Sequence, residues 1–205
     1  MPVAGMTTPV TADSFKNLQL NAGAFLTNFD WSTYTSATAL KTAVLAAFQD
    51  ETKTLGVTRG GGQFTTTREM RQAEVDGVRY RFVGDTFVDS IDCQLSTTLL
   101  ELTPGNIKRI LGSATVTTTG TVNKITLNTR ITDEDYLENL CWIGDLADGR
   151  LVLIGFKHAL NTADFNITFT DKGEATMPVE FHAFQGDVED YDTAPVEIIF
   201  FDDAP

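Results

Sequence analysis

Apolar and polar residues alternate most regularly over the last third of the chain, from Arg150 to Phe201. Leu151 to Phe156 is a nearly continuous apolar run. It leads into Asp164 to Thr170, where Phe165, Ile167 and Phe169 alternate with Asn166, Thr168 and Thr170. A period of two points one face of a strand at a core and the other at water or a partner. From Glu174 to Phe184 the pattern recurs, with Ala175, Met177, Val179, Phe181 and Ala183 on one face and Glu174, Thr176, Glu180 and His182 on the other. Asp171-Lys172-Gly173 supplies a glycine where a tight hairpin passes through positive φ. The three segments predict an antiparallel β-meander, with Pro178 at an edge or a bulge because it donates no ladder hydrogen bond.

Shorter alternations at Leu18 to Asn21 and Ala24 to Asp30, around Gly23, predict two strands or one bulged strand. The period then changes. Leu40, Ala43, Val44, Ala47 and Phe48 fall on one helical face, with Ser36 as N-cap and Gly56 beyond the end. Such a helix is stable only against a core. A second, shorter helix is predicted at Thr103 to Gly112, where Thr103 caps, Pro104 takes the first position, Lys108 and Arg109 sit near the C-terminus and Gly112 stops it. Val88 to Ser96 alternates as a strand, and the Thr-rich Thr115 to Thr121 with Ile125 to Ile131 favours strands through β-branching. Asp76-Gly77 and Asp148-Gly149 are hairpin signals. Thr132 to Leu137 predicts one capped helical turn before Cys141-Trp142-Ile143. The Gly60-Gly61-Gly62 run lacks the Gly-Lys-Ser/Thr ending of a phosphate loop and is read as a flexible loop or a close approach of two backbones.

At 205 residues, 42% hydrophobic and 21% charged, the chain is expected to fold as one all-β-dominated domain over 1–205. It would have an N-terminal arm at 1–11 and an acidic C-terminal segment at 186–205. The net charge of -13 excludes binding of a phosphate backbone by neutralisation. Charge is also segregated. Arg59, Arg68, Arg71, Arg79 and Arg81 stand in the middle region, whereas from Asp164 onward eleven carboxylates face the single Lys172. Arg59, Arg68 and Arg71 with Gly60, Gly61 and Gly62, and the acidic Asp187, Glu189, Asp190 and Asp192, are the candidate intersubunit contacts; the bland alternative is solvated surface charge. With no 18-residue apolar run and no signal-peptide start, the chain is expected to be made soluble in a cytosol, without a membrane partner.

Catalytic groups do not converge in the sequence. His158 and His182 have no partner at metal spacing, there is no Gly-x-Ser-x-Gly elbow, and Cys93 and Cys141 read as buried thiols. The Asp187 to Asp192 cluster does not match a calcium loop. Neither an enzyme nor a cofactor is expected.

Four stretches, Phe15 to Asp30, Leu55 to Phe64, Glu74 to Gly77 and Asp171 to Phe181, together resemble the tail tube (major tail) proteins of long-tailed, siphovirus-like bacteriophages. The resemblance implies a tail-tube fold, a mainly antiparallel β-sandwich or partial barrel with one packed amphipathic helix. It implies hexameric rings stacked into a hollow tube in the virion, made in the host cytoplasm, through which genome DNA passes unbound. Its implied partners are further copies of itself, the tail-tip or baseplate initiator, the tape measure and the tail terminator. An acidic bore would repel phosphates and leave DNA a low-friction path. The alternatives are the inner tube of a contractile tail-like particle, or a carbohydrate-binding β-sandwich that would stack sugars on Trp31 and Trp142.

Overall fold

The structure, a computed structural model, describes residues 12–19, 21–77, 79–186 and 193–203. The N-terminal arm and the Asp187 to Asp192 cluster lie outside the described residues. Nine strands and two α-helices occur among them, in the order β1 (Ala24–Leu26), α1 (Ala37–Ala47), β2 (Thr58–Gln72), β3 (Thr86–Leu99), α2 (Pro104–Leu111), β4 (Ala114–Thr119), β5 (Val122–Leu127), β6 (Leu137–Asp145), β7 (Leu151–Asn161), β8 (Met177–Phe184) and β9 (Val196–Phe201). All pairings are antiparallel. The principal sheet runs β1-β6-β7-β8-β3-β2, with β9 also on β7, and β4-β5 forms a separate hairpin. The chain is thus all-β dominated, as its periodicity predicts.

The sheet curls until its ends meet. Leu26 bridges Thr54 just before β2, and the Leu55 amide donates to the Phe25 carbonyl at 3.3 Å. The inner face holds one core, in which Phe25, Leu95, Leu99, Leu140, Phe156, Met177, Val179 and Phe181 pack with Ile110 of α2. A second core lies on the other face of β6, β7 and β9, where Cys141, Ile143, Leu153 and Phe201 meet Leu40, Val44 and Ala47 of α1 together with Trp31. Each fully buried Phe or Leu contributes about 1.5–3 kcal/mol. The strand β7 therefore lies between two cores. Its Gly155 is required there, because a Cβ would overlap the Trp31 ring.

Both helices form as their local signals predict. Ser36 caps α1 through Ala39, and the Asp203 carboxylate accepts two further bonds from the Ala37 amide at 3.0 and 3.1 Å. Thr103 caps α2, Pro104 opens it, and Gly112 ends it at φ 66°. Asn106 and Arg109 then fasten α2 to the carbonyls of Leu55, Thr54 and Thr52. This staple holds the closing segment before β2 in place.

Three expectations need correction. The Asp164 to Thr170 segment is not a strand; its one bridge joins Thr168 to Thr176, just before β8. Phe165 and Phe169 are consequently exposed. The Gly60 to Gly62 run is no loop but a bulge inside β2, and what lies closest to it is the Phe25 ring, which a Cβ on Gly62 would overlap, rather than a second backbone. The Asp76-Gly77 turn forms inside a long connection between β2 and β3, not as a tight hairpin. The acidic C-terminal segment also contains a sheet strand to which the sequence pattern assigns no range, β9, which pairs Val196–Phe201 with Phe156–Leu151. At Pro178, β8 pairs with β3 alone, an edge position on its other side.

Candidate assembly surface

The strand β3 pairs with β8 only from Gln94 to Leu99, but with β2 it continues to Thr86. Beyond Gln94 the two strands project from the body as a ribbon about 25 Å long at ~3.4 Å per residue. Its two faces differ. Cross-strand partners share a face, so the core row Cys93, Leu95 and Leu99 extends outward onto Ile91 opposite Arg68, and then onto Val88 opposite Met70. On the other face Thr67 opposes Asp92, Glu69 opposes Ser90 and Arg71 opposes Phe87.

That second face is internally satisfied. Arg71 donates to Asp89 at 2.7 Å and its guanidinium lies 5.1 Å over the Phe87 ring. Ser90 donates to Glu69 at 3.1 Å, and Asp92 meets the His182 Nδ1 at 2.8 Å where the ribbon leaves the body. The first face has lost its cover. Met70, Val88 and Ile91 are 63%, 51% and 44% exposed, although they continue the row that is buried in the body. In the connecting loop Val75, Tyr80, Phe82 and Val83 are exposed as well. Asp85 closes that loop by accepting from the Phe82 amide, Gln72 and Thr86, and these bonds hold its carboxyl below the usual range.

The candidate contact residues divide on this ribbon. Arg68 and Arg71 lie on it, on opposite faces. Arg59 lies off the ribbon, near the opposite end of β2 where it pairs with Thr98, and forms an ion pair with Glu174, a largely exposed pair of small energetic weight. Gly60 and Gly61, at φ of 78° and 75°, make the bulge between Arg59 and Gly62, and the Thr97 hydroxyl donates to the Gly61 carbonyl at 2.6 Å. With Arg59 and Arg71 engaged inside the chain, the apolar stripe is the stronger feature. Sequence reasoning missed it because Asp89 is an extra residue between Ser90 opposite Glu69 and Val88 opposite Met70. This bulge brings Val88 onto the face of Ile91, where strict alternation would separate them.

A second unsatisfied surface lies on β9. Its Ile199 and Phe201 face the α1 core, while Val196 packs on the inner core and is followed on that side by Ile198 and Phe200. These last two are 52% and 59% exposed. Among the described residues β9 pairs only with β7.

The remaining chemistry is quiet. Cys93 and Cys141 are buried and free, and burial pushes the Cys141 thiol far up. Among the described residues no three His, Cys, Asp or Glu side chains are grouped to hold a metal ion, and no helix is long and apolar enough to cross a membrane. Trp31 is buried with its Nε1–H donated to Glu197 at 2.7 Å, and Trp142 packs on the inner core with its Nε1–H donated to the Ala22 carbonyl at 2.9 Å. No protein-family model matches the chain, and no curated protein matches it.

Proposed function

We propose that this chain is a structural subunit that assembles with copies of itself, and that the assembly is the stack of hexameric rings forming a phage tail tube. The observation that carries self-assembly is the ribbon. An isolated two-stranded hairpin is marginal in water, and an apolar stripe on an uncovered strand pair invites association. The tube itself is supported by the likeness of four chain segments to tail tube proteins and by the net charge of -13, which suits a wall that DNA must slide past. In this reading the subunit resides in the virion, and the initiator, tape measure and terminator are its further partners. The carbohydrate-binding alternative is weakened, because stacking on sugar needs an open indole face, and Trp31 is buried while the Trp142 ring is partly buried and lies against Gly23 and Gly144.

Size-exclusion chromatography with light scattering, followed by negative-stain electron microscopy over a concentration series, tests this reading. Rings with a central bore, or hollow tubes, are expected. A strict monomer throughout the series overturns it.

A further inference from the structure

We propose that the ribbon of one copy docks on β9 of the next copy, its stripe of Met70, Val88 and Ile91 covering Ile198 and Phe200. This inference rests on the self-assembly reading and specifies the contact through which it occurs. The topology brings the two surfaces into question together. β9 and β8 lie end to end along the same edge of β7, since Phe156 opposes Val196 and His158 opposes Phe184. β8 is covered on its far edge by β3, whereas β9 has no strand there among the described residues. The row of side chains on the inner side of the sheet therefore ends twice without cover, once on the ribbon and once on β9.

The occupant is a second copy of this chain because the surfaces complement each other in charge as well as in apolar character. On the ribbon the apolar residues begin beside Arg68, which stands opposite Ile91 and is exposed. On β9 they end at Asp202, two residues beyond Phe200, whose side chain is 82% exposed and makes one ion pair with Arg150 at 3.2 Å. Each surface is thus an apolar row with one charge at its end, of opposite sign on the two. The two patches differ, so the contact is heterologous, and repetition around an axis closes a ring or extends a filament. One contact repeated head to tail satisfies both uncovered surfaces of every copy.

The test uses the full chain carrying Val88→Cys and Ile198→Cys together, treated with a short bis-maleimide; the native thiols are buried, and the wild type serves as control. A ladder of covalent oligomers is expected. Mixing the two single variants should give dimers only, because each dimer then lacks a further reactive pair. Cross-linking of either single variant with itself would mean like patches meet, and a cross-link confined to the monomer would mean the ribbon reaches its own β9; both outcomes overturn the proposal. So does an assembling protein that forms no cross-link, which would leave self-assembly standing. A variant and wild type that never assemble would remove both ideas. Independently, Arg68→Asp should raise the concentration needed for assembly about fivefold, and Asp202→Arg in the same chain should restore it. Failure of that restoration counts against the pairing.

Discussion

β7 is covered on both faces, by Phe181 and its neighbours on the inner side and by α1 and Trp31 on the outer. The far half of the β2–β3 ribbon has no second layer on either face among the described residues, yet it too carries Val, Ile, Phe and Met. Composition does not separate the two regions; what separates them is whether the chain supplies a second layer. Stability of the subunit should therefore reside in β7 and its two cores, and the ribbon should matter chiefly to association. Regions with few buried contacts are also those that open most readily.

The largest effect that would break this contrast is expected at Phe156, fully buried where β7 meets the inner core. Phe156→Ala should cost about 3–5 kcal/mol of unfolding free energy, read as a lower urea midpoint by tryptophan fluorescence. A loss below about 1 kcal/mol would mean that β7 is not the centre of the core. At the other extreme, Met70→Ser with Val88→Ser should move the monomer midpoint by no more than about 0.5 kcal/mol while abolishing larger species in light scattering. A large drop in monomer stability would show that the stripe is covered by its own chain.

The contrast also marks what could be read from sequence. α2 was legible in full because its instructions are local: Thr103, Pro104 and Gly112 cap, open and stop it within ten residues. α1 and the alternation of β8 were legible for the same reason, since one periodic face suffices to place them. The Asp164 to Thr170 segment has an equally good period and is no strand, because a period does not name a pairing partner and the segment makes one bridge alone, from Thr168 to Thr176. β9 went unread since Val196–Phe201 is flanked by Asp192, Asp202 and Asp203, whose charge overshadows its apolar run. The candidate arginines drew attention by charge, whereas the apolar stripe beside them depends on the bulge at Asp89. A bulge reverses every later side chain in a strand, and only the cross-strand partner reveals it.

The finest distinction between body and ribbon concerns what closes the ribbon's loop. Among the described residues no core cluster reaches it, and its order rests on Asp85, which accepts from the Phe82 amide at 3.0 Å and from the Thr86 hydroxyl at 2.9 Å, while its own carbonyl accepts from the Ala73 amide at 2.8 Å. The Phe82 bond is the chief cause that lowers the carboxyl below the ordinary value of 3.8, followed by Gln72 and Thr86. A carboxyl lowered by folding stabilises the loop fully above its unfolded value, and that contribution disappears as pH falls through the lower, folded one. Loop closure should thus persist at pH 3.8 and fail only in stronger acid. Following the Phe82 amide by NMR from about pH 6 to about pH 2 should give a midpoint below 3.8, while β7 amides stay unchanged over the same step. A midpoint at or above 3.8 would separate Asp85 from loop closure. Asp85→Ala should remove the transition and leave the β7 amides where they were, since nothing in the body depends on the tip of the ribbon.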